Sequence, residues 1–333
     1  MDDIVISIPR FSLSGGNLVS LNVALYLRTK GFKVYAVSGF SKKKIEDVVL
    51  VKYKKGIMNS FANIICFLNL SVLSLFYKNY IATHHLSAIL NFVRPAKFAL
   101  VQDLESDFYP MRLRFLGRCL WKSYLKSENL IFTNAYLANK VCGDCQQVDG
   151  FAYVDSINEI EYKKDNGQVH RYDALLILRD GKYKGYNNTL RLFEFLNSSG
   201  IKTCLVNQSR NSIISKYNEL ILNGLPRKDF LKLLCAANYF ICLSEWEGLG
   251  LPNFEAISLG VKVISNPIPS ALIIKDNFPS VISLNTSFNE IRELIKSSGL
   301  INNCDVSEFF VAQNKAWLEY VFRLISLETN YAN

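Results

Sequence analysis

Apolar positions alternate along the chain between two spacings. Residues 4–9 form a mostly apolar run of strand length, and residues 11–17 form a small-residue loop holding Gly15 and Gly16. Residues 18–31 then place Leu18, Leu21, Ala24, Leu25 and Leu27 at helical spacing before a glycine stop, and 34–37 is a second apolar run. Strand, glycine loop, helix and strand in that order predict the opening of a doubly wound α/β domain. Further strand-like runs lie at 79–82 and 98–101. A second alternation begins near Tyr172. It predicts strands at 174–178, 203–206, 239–243 and 261–265, and helices at 188–197 and 227–237. The polar stretch 156–170, with Asn166-Gly167, reads as the linker. Two α/β domains follow, 1–165 and 166–306, and 307–327 predicts a long final helix. The loop after the first strand lies at the carboxyl edge of its sheet, where such folds bind ligands. It lacks the three spaced glycines of a dinucleotide site.

Charge refines this picture. The chain of 333 residues is half hydrophobic and carries a formal +9. Residues 1–165 hold 21 Lys and Arg against 14 Asp and Glu, a net +7, and the remainder holds 17 against 15. A basic first half suits a phosphorylated ligand, an anionic lipid surface or nucleic acid. The chain has no recognised nucleic-acid motif, so nucleic acid is not expected as a partner. The acidic start Met1-Asp2-Asp3 lacks the features of a secretory signal, which points to a cytoplasmic protein. Stretch 57–76 is apolar but broken by Asn59, Ser60, Asn63, Asn69, Ser71 and Ser74, so it reads as a buried or interfacial helix rather than a span. Segment 111–126 alternates bases with large apolar residues, including Phe115 and Trp121. It is either a membrane-surface helix or an ordinary surface helix turned to the core. Cys142-Gly143-Asp144-Cys145 has the spacing of a metal or redox pair but no second pair or histidine near it, so no metal site is expected.

The chemistry concentrates in residues 244–260, Ser-Glu-Trp-Glu-Gly-Leu-Gly-Leu-Pro-Asn-Phe-Glu-Ala-Ile-Ser-Leu-Gly. Gly248 and Gly250 admit a tight turn and a ligand close to the main chain. Pro252 suits a helix start, Glu255 falls in the expected first turn, and Gly260 ends the helix. Unpaired N–H groups at such a helix start attract anions. Glu247 before them and Glu255 within them would rim a seat for phosphates and sugar hydroxyls. Alone, such a turn is equally an ordinary strand–loop–helix crossover, with Glu255 serving the helix dipole.

The ordered pattern Ser-x-x-Glu-Gly-x-Gly-Leu-Pro-x-x-Glu-Ala resembles the donor-binding motif of family 4 retaining GT-B glycosyltransferases. The resemblance extends to 223–226 with 230–237, and to the loop 179–185. It implies two Rossmann-like domains facing across a cleft, with the C-terminal helix (307–333) crossing back onto the first. It implies that Glu255 holds the ribose, and that Glu247 with Gly248, Leu249 and Gly250 meets the sugar and diphosphate. Arg179 and either Lys184 or Lys182 would steady the departing nucleotide diphosphate through forked and point-charge contacts. Gly15 and Gly16 would approach from the first domain.

Segments 82–87 and 102–110 are similar to a rhamnosyltransferase-like branch that builds bacterial surface polysaccharides such as O-antigen or capsule. The family 4 resemblance implies that one of His84 and His85 meets the donor sugar, and Gln102, Asp103 and Glu105 are the acceptor-side candidates. The implied activity is transfer of rhamnose or another hexose, with retention, from a nucleotide-diphosphate sugar to a glycan or lipid-linked acceptor. It needs no metal and no cofactor beyond the donor, because lysine and arginine neutralise the leaving group. The enzyme would sit peripherally on the cytoplasmic membrane face through 111–126. The alternatives are a nucleotide-sugar epimerase or phosphorylase of the same fold, or a non-catalytic GT-B partner subunit.

Overall fold

The computed structural model describes residues 3–53, 56–143, 147–154, 171–209, 211–284, 287–297 and 306–329. The first sheet contains β1 (Ile4–Ser7), β2 (Val34–Val37), β3 (Lys42–Lys44), β4 (Asn79–Ala82), β5 (Phe98–Val101) and β6 (Asn129–Phe132). Their spatial order is β3-β2-β1-β4-β5-β6. All pairs are parallel except β2 with β3, an exposed edge strand made of three lysines. The second sheet contains β7 (Tyr172–Leu178), β8 (Thr203–Asn207), β9 (Ile221–Asn223), β10 (Ala237–Cys242), β11 (Lys262–Ser265) and β12 (Ile282–Leu284). It is parallel throughout, in the order β12-β11-β10-β7-β8-β9. Both sheets thus follow the doubly wound strand order. β1, β4 and β5 are buried along their length, as strands covered on both faces must be.

The helices are α1 (Gly15–Thr29), α2 (Ile57–Leu73), α3 (Arg114–Tyr124), α4 (Ala135–Cys142), α5 (Tyr186–Ser198), α6 (Arg227–Cys235), α7 (Leu251–Ser258), α8 (Pro269–Asn277), α9 (Phe288–Ser297) and α10 (Val306–Glu328). The chain forms two compact units, one of residues 1–154 with 312–333 and one of residues 155–311. The expected linker 156–170 and the boundary at 165 lie outside the described residues, as does Cys145. The core of the first unit gathers Ile4, Ile6, Val23, Leu27, Ile81 and Phe98. That of the second gathers Leu176, Leu178, Phe193, Leu205, Ile241 and Ile264. In α10, Phe310 packs edge-on to Phe254 of the second unit. Further along the helix, the fully buried Trp317 donates its indole N–H to Phe132 O of the first unit at 2.8 Å.

Three expectations need correction. Helix α1 begins at Gly15, not Leu18, because the Ser14 hydroxyl caps it by accepting from Asn17 N at 3.2 Å. The two glycines are therefore the first helical turn and not a loop. Glu255 is the fifth residue of α7 and so falls just past the first turn rather than within it, since the helix starts at Leu251, ahead of Pro252. Segment 111–126 is not one helix: Met111–Leu113 is a 3-10 turn and α3 follows it. The inward face of α3 is Gly117, Trp121 and Tyr124, so its tryptophan belongs to the interior. Among the described residues no helix is long and apolar enough to cross a membrane.

Candidate functional site

In a doubly wound sheet, ligands bind beyond the carboxyl ends of the two strands from which the chain departs in opposite directions. In the second sheet those strands are β7 and β10, adjacent and parallel. Arg179 directly follows β7, and Glu247 lies in the loop after β10. Glu247 is buried and accepts from three groups: Arg179, Lys184 Nζ at 2.5 Å, and the Ser244 hydroxyl at 2.8 Å. Burial alone would raise its carboxyl pKa, but the charges of Arg179 and Lys184 and the bonds from Lys184 and Ser244 hold it below the ordinary value. Two cations on one carboxylate leave the cluster net positive, which suits a phosphate.

Lys184 is presented by the loop 179–185. Gly185 caps the N-terminus of α5 with φ +64°, and a Cβ there would meet Leu243 O at 2.1 Å. Tyr183 O accepts from Glu245 N at 2.7 Å, which ties this loop to the one holding Glu247. The choice between Lys182 and Lys184 thus has a geometric answer. Lys184 reaches Glu247, whereas Lys182 is exposed and bonds the Tyr183 hydroxyl. Gly250 has φ +91° at the start of α7, and Leu249 O accepts from Ser270 N at 2.9 Å. Gly248 and Leu249 are buried beside it. Glu255, almost fully buried, forms an ion pair with Arg227 at the start of α6. Sequence spacing had not singled out Arg227.

The corresponding strands of the first sheet are β1 and β4. There Ser7 and Thr83 are joined hydroxyl to hydroxyl at 3.1 Å. Gly16 lies against Gln102, whose amide donates to Ser20 Oγ and Thr83 O. Gly15 is exposed at the helix start. His85 is buried, with Nδ1 2.6 Å from Glu105 Oε2 and Nε2 2.6 Å from the Tyr109 hydroxyl. With Nδ1–H donating to the carboxylate, Nε2 is left to accept from Tyr109. Glu105 also accepts from His85 N at 2.6 Å, so this buried carboxylate serves the histidine pair rather than an open surface. Burial would raise its pKa, but His84 and His85 hold it below the usual range. Asp103 is half-buried and caps Leu104 N at 2.8 Å.

His84 is the more open of the pair. Its Nδ1 accepts from Leu86 N at 3.1 Å, and its ring stacks on Phe67 of α2. Burial pulls its pKa down to about 4 from 6.5; Glu105 opposes this and His85 adds to it. Unfolded chains therefore bind a proton at this position that the folded chain refuses, so stability falls as the pH drops from 6.5 toward 4. His84→Gln is expected to flatten that part of a stability–pH curve measured by urea unfolding.

His84, His85 and Glu105 offer ligand atoms within 4.8 Å of one another. A cation there would have to break a bond of His85 to Glu105 or Tyr109. Tyr109 is a further member of this group.

No protein-family model matches the chain, and no curated protein matches it. Solved structures do match. WaaG, a glycosyltransferase involved in lipopolysaccharide biosynthesis, superposes with a TM-score of 0.56 at 15% identity, covering 99% of this chain and 98% of its own. Anabaena Alr3699/HepE, solved in complex with UDP, gives 0.57 at 13%, covering 98% and 95%. The UDP-forming α,α-trehalose-phosphate synthase of Burkholderia vietnamiensis gives 0.59 at 9%, covering 100% and 99%. The chain has the GT-B fold. At such identities the likeness concerns the fold, and in this GT-B chain both candidate constellations sit at its switch points.

Proposed function

We propose that this chain is a glycosyltransferase that moves a sugar, rhamnose or another hexose, from a nucleotide-diphosphate donor to a glycan or lipid-linked acceptor, with retention. One observation carries the reading: the cluster of Arg179, Lys184 and Glu247 at the second switch point, with Glu255 eight residues on. In the reaction the bond between the anomeric carbon and the β-phosphate oxygen breaks. A bond from an acceptor hydroxyl forms on the same face, and the hydroxyl proton passes to the departing phosphate. Arg179 and Lys184 neutralise the charge that develops there, the work a divalent ion does in other enzymes. Glu255, oriented by Arg227, takes the ribose hydroxyls.

The reading of a surface-polysaccharide enzyme is supported by the first unit. The segments 82–87 and 102–110, which carry that resemblance, meet through the bonds of Gln102 to Thr83 and of His85 to Glu105 and Tyr109. A cytoplasmic place at the membrane face belongs to the same proposal.

The test is a panel of nucleotide sugars, scored by thermal shift and by release of nucleotide diphosphate with and without chelator. Stabilisation by one donor and slow release, unchanged by chelator, is the expected result. Conversion of the donor to an isomer without release would mean an epimerase. Silence across the panel and across candidate acceptors would mean a partner subunit. A product of inverted anomeric configuration would overturn retention.

A further inference from the structure

Helix α2 breaks the usual link between apolarity and burial. A helix with no charged residue is ordinarily enclosed. Yet of the seventeen residues of α2 only Cys66, Leu70 and Ser71 are buried. Ile57, Met58, Phe61, Ile64 and Leu68 are between 54% and 89% exposed. Elements next to it expose further apolar side chains. Segment 85–92, against which both α2 and α3 pack, ends in exposed Phe92 and is followed by exposed Val93, and Met111 and Phe115 are each 81% exposed. Apolar patches of this kind mark interaction surfaces.

Charge selects the occupant. Between Asp47 and Asp103 the chain has no acidic residue and six basic ones; between Asp107 and Glu128 it has none and five. Arg112 in the turn before α3, and Arg118 and Lys122 on α3, are exposed. A second copy of the chain on this face would set cation against cation. An anionic lipid surface meets both the cations and the apolar side chains.

We infer that α2, together with Phe92, Val93, Met111 and Phe115, docks the protein in the plane of an anionic bilayer. The helix lies along the interface with its apolar side among the acyl chains, as an in-plane helix does. This differs from the expectation that 111–126 forms the contact: α2 is its centre, and residues 111–122 contribute cations and two apolar side chains. The stacking of Phe67 on His84 ties the docked helix to the cluster of His84, His85 and Glu105. The inference deepens the membrane-face part of the proposed function, and because its test involves no turnover it can fail while the transferase reading stands.

The test is co-sedimentation of the full chain with vesicles of phosphatidylcholine and phosphatidylglycerol in equal parts, against phosphatidylcholine alone. Binding is expected on the anionic vesicles, weakening as salt rises. The triple variant Phe61→Ser, Ile64→Ser, Leu68→Ser should bind at least about tenfold more weakly. Arg112→Gln and Arg118→Gln should each weaken binding about fivefold. Phe61→Trp supplies a readout that keeps the apolar face, and its emission should shift to shorter wavelength when anionic vesicles are added. Absence of wild-type binding, or equal binding by the triple variant, overturns the inference. So does light scattering that shows a wild-type dimer converted to a monomer by the triple variant, which would assign the face to a second copy.

Discussion

Glu247→Gln is expected to lower kcat for release of nucleotide diphosphate by about 100- to 1,000-fold, with nucleotide affinity held or raised. The amide keeps the shape and the contact with Ser244 but not the charge. Arg179 and Lys184 then face a neutral group and are freer to hold a phosphate in the ground state. What is lost is the carboxylate that fixes both cations where charge develops during bond breaking. Loss in kcat without loss in binding is the mark of a group acting in the transition state. Steady-state kinetics and nucleotide titration on the two proteins measure both parts. A kcat within about twofold of wild type would remove Glu247 from the mechanism. The pH profile gives a second reading. The carboxyl pKa is held below its ordinary value, so Glu247 stays ionised through mildly acidic pH. Its stabilising contribution is present above the unfolded value and is lost only as pH falls through the lower folded one.

Gly185→Ala should cost about 2–4 kcal/mol of stability and about 100-fold in turnover. The added methyl meets two obstacles together. The backbone at φ +64° disfavours any Cβ, and the Leu243 carbonyl oxygen lies 2.1 Å from where it would stand. Relief requires the loop 179–185 to move away from the end of β10, which carries Lys184 away from Glu247. Gly200→Ala is the control. It has φ +78°, but nothing lies within 4 Å of its added Cβ, so only the backbone cost of about 1–2 kcal/mol is expected, with turnover unchanged. Chemical denaturation and initial rates on both variants decide the matter. Equal losses in the two would mean that the close approach to Leu243 does not govern the loop.

Which features were legible from sequence follows a physical rule. Strong local patterns were readable: the expected helix 188–197 is Tyr186–Ser198, and the expected strand 239–243 is Ala237–Cys242. Burial on both faces makes such strands apolar runs, and turns bound them. The three-residue strands β3, β9 and β12 are too short to carry a period, and the exposed lysines of β3 offer no apolar position to mark a strand. Helix α1 was placed three residues late because Gly15 and Gly16 have loop propensity, which the Ser14 cap overrides.

Within the site, the glutamates stood out through their ordered spacing and Arg179 and Lys184 through the resemblance, but Arg227 and Tyr109 did not. Arg227 meets Glu255 across 28 residues, and Tyr109 meets His85 across 24; contacts of that kind exist only once strands are laid side by side. The outward turn of α2 was equally hidden, since its composition fits a buried helix as well as an interfacial one.

The lysine strand β3 has a consequence for molecules crowded together on a surface. A sheet edge exposes a row of peptide groups able to template another chain. Lys42, Lys43 and Lys44 occupy that row with three like charges, and the Lys42 ammonium is anchored over the Tyr35 and Tyr77 rings at 4.2 and 4.8 Å. A second molecule offering the same edge meets repulsion before any ladder can form. High local density therefore does not seed fibrils through this edge of the first sheet, and the protein can be concentrated in two dimensions without being polymerised there.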